Sequence, residues 1–262
     1  MICWLNGRLL PVTEAAIPVG DRGFLLGDGI YETIRVHAGE AQWLDRHLAR
    51  LAYGLRVIAL RLDADIAAAV AETITANALT DGSLRITVTR GSGPRGIAPP
   101  LQPEATTLIT AFPAAPALPA ANIVIARRTR RNAFSPLAGI KSVNCLDAVI
   151  ARQEAARAGA DDALLLDTRE RVSEATAANI FAMIDGELLT PPPSDGALTG
   201  ITRARVLELE GREATLTADD LTRASEIFLT SSLGLRTVAA LDGRALPAER
   251  PVSERLARLL FR

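Results

Sequence analysis

One lysine is the residue of this chain best suited to covalent chemistry. The 262-residue sequence has 29 basic residues, and Lys141 is the only lysine among them. Leu137, Ile140 and Val143 surround it in the sequence, and apolar surroundings lower the pKa of an amine by disfavouring its charged form. A partly neutral amine attacks aldehydes near pH 7. The alternative is a leftover surface lysine in an arginine-rich chain, and the residues downstream argue against it.

Three downstream stretches supply a carboxylate and two phosphate-binding segments. Glu174 precedes a run of small residues that leads into a predicted strand. Residues 198–202 open a predicted helix, and Ser231 and Ser232 end a predicted strand. Hydroxyls and unpaired N–H groups at such places suit a phosphate. Turn carboxylates and turn serines are common without ligands, so these stretches indicate a site only in combination with Lys141.

In this order the stretches resemble the class IV aminotransferases, the fold-type IV enzymes that use pyridoxal 5′-phosphate (PLP). Residues 21–23, 27–33 and 46–51 resemble the same family, so the resemblance covers nearly the whole chain. It implies that Lys141 forms the Schiff base with PLP and then carries the proton between substrate Cα and cofactor C4′. Glu174 would keep the pyridine nitrogen protonated, and Leu198 would pack on the ring. The residues expected to hold the phosphate are Arg50, Ile201, Thr202, Ser231 and Ser232.

The substrate side is expected on a strand and a glycine-rich loop. In the strand 30–37, alternation places Tyr31 and Arg35 on one side, which the resemblance turns toward the substrate. Arg90 and Arg95 flank the loop's glycines and are further candidates for a carboxylate anchor. D-amino-acid transaminases carry an arginine and a histidine two residues apart here, whereas this chain has Arg95 and Ile97. For Arg35 on the strand and Arg50 on its helix, a solvated surface position is the alternative.

Length and pattern predict an α+β chain of two domains. Short strands with few helices argue for mixed sheets. The Pro/Ala-rich tract is the clearest break in composition, so we predict a small N-terminal α/β domain over 1–112, a linker over 113–121 and a larger PLP-binding domain over 122–262, built on a mixed sheet or barrel.

Charge and cysteine usage narrow the class of protein. A net charge of −1 provides no electrostatic footprint for nucleic acid or an anionic membrane. Cys3 and Cys145 are too few and too scattered for a disulfide framework or a zinc site. The chain has no signal-peptide pattern at its start and no long apolar run, so we expect a cytoplasmic protein without a bound metal.

The resemblance implies a homodimer that transfers an amino group between a D-amino acid or (R)-amine and a 2-oxo acid. The alternatives are an aminodeoxychorismate lyase that releases pyruvate and 4-aminobenzoate, and a branched-chain L-amino-acid transaminase. Residues 137–141 and 177–179 look like the lyase, and residues 30–33 and 141–144 look like the D-amino-acid enzyme. A silent small-ligand-binding homologue is disfavoured because both Lys141 and Glu174 are present.

Overall fold

The computed structural model describes residues 1–261, which form two compact units. The first unit consists of Met1–Pro116 together with Ile140–Asn144, and the second consists of Ala117–Gly139 and the chain from Cys145 onward. The chain therefore changes unit inside the predicted linker, and it later returns to the first unit for five residues around Lys141. That return is not foreseen from the sequence.

The first unit is built on a six-stranded sheet in which every pairing is antiparallel. The strand order is β2-β1-β6-β5-β3-β4. The strands are β1 (Ile2–Leu5), β2 (Arg8–Pro11), β3 (Gly29–His37), β4 (Glu40–Ala41), β5 (Gly82–Thr89) and β6 (Thr106–Pro113). The helices are α1 (Arg22–Leu26), α2 (Leu44–Val57) and α3 (Ile66–Ala76). Asn6-Gly7 turns the first hairpin, with both residues at positive φ, as an Asn-Gly pair between two short strands favours.

Alternating burial along β3 and β5 separates the two faces of this sheet. Ile30, Ile34 and Val36 are buried on one face, and intervening residues of β3 are half-buried on the other. The buried face packs with apolar residues of α2 and α3, including Leu51 and Val70, into one core. The expected alternation of the strand 30–37 is therefore observed.

The second unit is built on a nine-stranded sheet with parallel and antiparallel pairs. Its main path runs β12-β11-β10-β13-β14-β7-β8-β9, and β15 pairs with β14. The strands are β7 (Ala121–Ile125), β8 (Asp162–Leu166), β9 (Val172–Ala175), β10 (Asn179–Ile184), β11 (Glu187–Thr190), β12 (Arg212–Glu213), β13 (Ala224–Ser231), β14 (Gly234–Leu241) and β15 (Arg244–Ala245). The helices are α4 (Leu146–Arg157), α5 (Ile201–Leu209) and α6 (Pro251–Leu260). The mixed sheet agrees with the α+β class predicted from the sequence.

Some elements of the second unit give little signal in the sequence. The strand β14 was not predicted, because its threonine and alanines give no clear alternation. The strand β12 has only two residues, and Asp220–Arg223 form a 3-10 turn. No helix within residues 1–261 is long and apolar enough to cross a membrane.

Candidate active site

Lys141 is held at the edge of β3 by main-chain pairing. The Tyr31 N–H donates to the Lys141 carbonyl at 2.8 Å, and the Val143 N–H donates to the Gly29 carbonyl at 3.1 Å. Ile140 points into the core of the first unit, so the next side chain, Lys141, points to the opposite face by the period of two. The Lys141 Nζ lies 4.5 Å from the centre of the Tyr31 ring.

The face that carries Tyr31 and Lys141 is the half-buried, largely polar side of the first sheet. Antiparallel register places Thr87 opposite Tyr31 and Arg85 opposite Thr33. On the far side of β5, Thr110 lies opposite Arg85. We call this set of residues the polar face: Tyr31, Thr33, Arg35, Arg85, Thr87, Thr110. The polar face includes Tyr31 and Arg35, both selected from the sequence, and Lys141 lies beside Tyr31.

Arg50 lies on α2 and is buried against the other side of β3. Its Nε donates to Glu32 Oε1 at 2.8 Å, and its Nη2 lies 2.7 Å from Glu32 Oε2. His47 Nδ1 lies 2.7 Å from the same Oε2 atom. Burial alone would raise the pKa of Glu32, but the hydrogen bonds from Arg50 and His47 outweigh it and hold this pKa below its usual value. Two nitrogens of Arg50 thus serve an internal ion pair.

Arg90, a predicted carboxylate anchor, is buried in contacts within the first unit. Its Nε donates to Asp28 Oδ2 at 2.8 Å, and its other nitrogens donate to the Ile58 and Ala59 carbonyls. Arg22 donates to the same Asp28 oxygen at 2.9 Å. Burial raises the pKa of Asp28, but the two arginines outweigh it and the pKa lies below its usual value. These contacts favour a structural role for Arg90.

The loop after Arg90 leaves Arg95 and Ile97 at the surface. Arg95 is exposed, and Ile97 is 86% exposed. The Arg22 guanidinium fixes the loop by donating to the carbonyls of residues 96–98 at 2.7 to 3.2 Å. Arg95, a predicted carboxylate anchor, therefore lies on an exposed loop.

In the second unit, Glu174 is held by donors from three segments. The Nη2 of Arg131 lies 3.0 Å from Glu174 Oε1. The Leu198 N–H donates to Glu174 Oε2 at 3.0 Å, and Asn179 Nδ2 donates to the same atom at 3.3 Å. Asn179 Nδ2 also donates to the Leu198 carbonyl at 2.8 Å. The predicted carboxylate and the residue predicted to cover the ring are therefore direct neighbours.

The two predicted phosphate-binding segments also meet in the second unit. Thr202 Oγ1 donates to the Ser231 carbonyl at 2.7 Å. No side chain caps the N-terminus of α5, which begins at Ile201 after Gly200. A Cβ at Gly200 would lie 2.0 Å from Asn179 Oδ1, so only glycine fits there. The neighbouring Thr230 Oγ1 is buried and has no hydrogen-bond partner within residues 1–261.

These groups fit PLP on chemical grounds. An uncapped helix start, an adjoining serine pair and an unpartnered buried hydroxyl suit a phosphate. Glu174 is a carboxylate with fixed orientation, as the pyridine nitrogen requires, and Lys141 is the chain's only amine side chain. The chain needs no second lysine for the chemistry.

Sequence reasoning missed several residues that the structure places at these positions. Arg131 and Asn179 orient Glu174, and Arg85 stands beside Tyr31. The sequence could have predicted the position of Arg85, because residues 83–89 alternate in the same way as residues 30–37. Arg131 had none, since it lies in a run of arginines that resembles a solvated surface.

Comparison with known proteins gives the family. The family model for amino-transferase class IV matches residues 29–241. A Methanocaldococcus jannaschii protein with the provisional name branched-chain-amino-acid aminotransferase is 35% identical over 260 residues, which cover 94% of this chain and 90% of that protein. The D-alanine aminotransferase of Bacillus licheniformis is 32% identical over 267 residues, which cover 94% of this chain and 90% of that protein.

A solved structure agrees with these matches. The crystal structure of 4-amino-4-deoxychorismate lyase from Pseudomonas aeruginosa superimposes with a TM-score of 0.85 at 34% identity, covering 98% of this chain and 97% of that one. Enzymes of this family use PLP. Because the family model and the relatives extend over nearly its whole length, the chain belongs to the class IV aminotransferases and is a PLP-dependent enzyme of fold-type IV.

Proposed function

We propose that this enzyme transfers an amino group between a D-amino acid or an (R)-amine and a 2-oxo acid. The observation that carries the proposal is the placement of the only lysine beside Tyr31 on the polar face. The 32% identity to a D-alanine aminotransferase along 94% of the chain supports the D-amino-acid class. A cytoplasmic location remains a prediction from the sequence.

Lys141 is the proposed catalytic residue. PLP supplies an electron sink for the negative charge left at the substrate Cα. When PLP is bound, the Nζ of Lys141 would be the amine that holds it, and the same Nζ would take the proton from the substrate Cα and move it during the transfer. Pairing with β3 fixes the position of the Lys141 main chain, and contact with the Tyr31 ring restricts the motion of its side chain.

Glu174 and the start of α5 are the proposed cofactor-holding groups. Glu174 would accept a hydrogen bond from the pyridine N–H of PLP, and Arg131 and Asn179 fix the orientation of its carboxylate. The N–H groups of Ile201 and Thr202 and the hydroxyls of Ser231 and Ser232 would bind the phosphate, with Arg50 as a further cation. Leu198 would cover the ring. Each of these roles is a proposal for mutagenesis.

A lyase is the second candidate. The 34% identity to an aminodeoxychorismate lyase along 98% of the chain favours it, as does the sequence of residues 137–141. The 35% identity to the provisionally named branched-chain enzyme is the reason to assay an L-amino acid as well. The purified holoenzyme should be assayed with D-alanine plus 2-oxoglutarate, with L-leucine plus 2-oxoglutarate, and with aminodeoxychorismate. We expect the highest kcat/KM with D-alanine, and a higher value for either other substrate would overturn the assignment.

The covalent role of Lys141 has a direct test. Lys141→Ala should lose the visible absorbance of the lysine-bound cofactor and all transaminase activity, because the chain has no second lysine to replace it. Arg61→Gln, a change at an exposed arginine, is the control and should retain both. Continued turnover by Lys141→Ala would contradict the mechanism.

A further inference from the structure

Arg85 projects from the centre of β5 onto the polar face, next to the proposed catalytic lysine. Its guanidinium carbon lies 3.8 Å from the centre of the Tyr31 ring, and the Lys141 Nζ lies 4.5 Å from the same point. Because both distances end at one centroid, the two cationic groups are separated by no more than their sum. Arg85 and Lys141 thus share one aromatic platform.

The guanidinium of Arg85 is oriented but not neutralised. Its Nε donates to Thr87 Oγ1 at 3.2 Å, and contact with the Tyr31 ring restricts the plane of the group. Within residues 1–261, the bond from Nε to Thr87 is the hydrogen bond that the Arg85 side chain donates, and Arg85 forms no ion pair. The edge with the two terminal nitrogens is the one that binds a carboxylate in a bidentate manner. The terminal nitrogens of this half-buried arginine can therefore bind an anionic ligand such as a carboxylate.

The other candidate arginines of the first unit are less well placed. The guanidinium nitrogens of Arg90 already bind Asp28 and two main-chain carbonyls. Arg95 stands on an exposed loop. Arg35 is on the polar face but four residues along β3 from Tyr31, a displacement of roughly 13 Å. Arg85 is the arginine that contacts the residue beside Lys141.

We propose that Arg85 is the residue that binds the α-carboxylate of the amino-acid substrate. The inference rests on the proposed function and adds a specificity-determining residue to it. In an α-amino acid a single carbon separates the reacting nitrogen from the carboxylate, so the amine-handling group and the carboxylate-binding group must be close neighbours. Lys141 and Arg85 both contact the Tyr31 ring, within 4.5 Å and 3.8 Å of its centre, which places them in the same part of the polar face. Ile97 stands where the D-amino-acid enzymes have a histidine, so another residue must bind the carboxylate.

The first test compares substrates with and without a carboxylate. Arg85→Gln keeps the size and hydrogen-bonding capacity of the side chain and removes its charge. Its KM for D-alanine should rise on the order of 30-fold to 100-fold, the loss expected for a charge-assisted bidentate contact, while KM for a carboxylate-free (R)-amine changes less than about twofold. Arg85→Lys should fall between, since an ammonium keeps charge without the planar fork. Arg35→Gln and Arg95→Gln test the rival anchors.

The second test does not depend on turnover. Propionate carries the carboxylate without an amine, and its binding to the PLP-loaded protein is measured by ligand-observed NMR. We expect Arg85→Gln to weaken propionate binding by roughly 30-fold while the visible cofactor spectrum and the melting temperature stay those of wild type. Arg61→Gln should behave as wild type.

The outcomes separate this inference from the proposed function. If no donor is turned over but propionate binding still depends on Arg85, the proposed function fails and the carboxylate site stands. If turnover occurs but Arg85→Gln leaves both KM for D-alanine and propionate binding unchanged, the inference is overturned. It is also overturned if Arg35→Gln or Arg95→Gln produces the larger effect, or if only dicarboxylic substrates are affected, because Arg85 would then bind a distal carboxylate.

Discussion

Glu174 shows how single side chains prepare this site. The carboxylate has an arginine on one oxygen and both an amide and a main-chain N–H on the other. Arg131 is itself fixed, because its Nε donates to the Gly196 carbonyl at 3.2 Å and its Nη2 donates to the Ala138 carbonyl at the same distance. Such a network restricts the carboxylate to one orientation before any ligand binds. Arg131 therefore acts on the cofactor through Glu174, as a positioning residue.

Replacing Arg131 should impair the ring-nitrogen contact without unfolding the protein. We expect Arg131→Gln to lower kcat about tenfold with little change in KM, which corresponds to losing one charge-assisted hydrogen bond. The absorbance of the bound cofactor should also change its dependence on pH, and Arg131→Lys should restore part of both. Arg128→Gln, at an exposed arginine nearby, is the matched control. Wild-type kcat and an unaltered pH profile in Arg131→Gln would rule out the positioning role.

Strand β3 connects the residues around Lys141 to the buried core of the first unit. One face of the strand carries Tyr31, and the other carries Glu32, which is 1% exposed and bound by two residues of α2. A buried carboxylate without its partners would be costly, so this cluster ties α2 to β3 in one arrangement. The strand can then hold the Lys141 segment at its edge in a fixed position.

Breaking the Glu32 cluster should therefore cost stability. Glu32→Gln leaves Arg50 buried without its counter-charge, and we expect the free energy of unfolding to fall by roughly 3 kcal/mol at neutral pH, measured by urea denaturation of the cofactor-free protein. Glu40→Gln, at an exposed position of β4, should change it by less than about 0.5 kcal/mol.

The same cluster predicts the direction of a pH effect. The pKa of Glu32 is lower in the folded protein than its usual value, so the ionised carboxylate stabilises the fold fully above the ordinary glutamate pKa of about 4.3. That contribution is lost as pH falls through the lower, folded pKa. The stability difference between wild type and Glu32→Gln should shrink in this acidic window, and a constant difference would contradict the assignment.

Local pattern predicted most elements of the first unit, and non-local pairing explains what it missed. The hairpin at Asn6-Gly7 and the alternation of β3 depend on neighbours in sequence. The pairing of Lys141 with Tyr31 joins segments far apart in the chain, and no periodicity reveals it. Helix α1 was missed because its five residues are too short for a helical period. Arg90 was a reasonable candidate in sequence, since a glycine loop follows it, but only coordinates show its ion pair with Asp28.

The first unit has an apolar surface that is exposed among residues 1–261. Val19 is 88% exposed and Phe24 is 78% exposed, and Leu25 and Leu26 of α1 are exposed beside Phe24. A cavity of about 440 Å³ opens here, with Ile17, Val19 and Phe24 in its lining. A contiguous exposed apolar surface of this kind marks an interaction site. Two-fold homodimers are the commonest closed assembly, and we infer that a second copy of this chain covers this surface.

A charge placed in the apolar surface should therefore separate the subunits. Phe24→Asp would bury a carboxylate without a partner in the interface, so light scattering should show the mass of a monomer at concentrations where wild type gives that of a dimer. Transaminase activity should fall with the dimer if the second subunit helps complete the pocket. Leu209→Asp, at an exposed leucine in the second unit, is the control and should remain dimeric and active. A wild-type protein that is monomeric and fully active at working concentrations would show that the surface has another occupant.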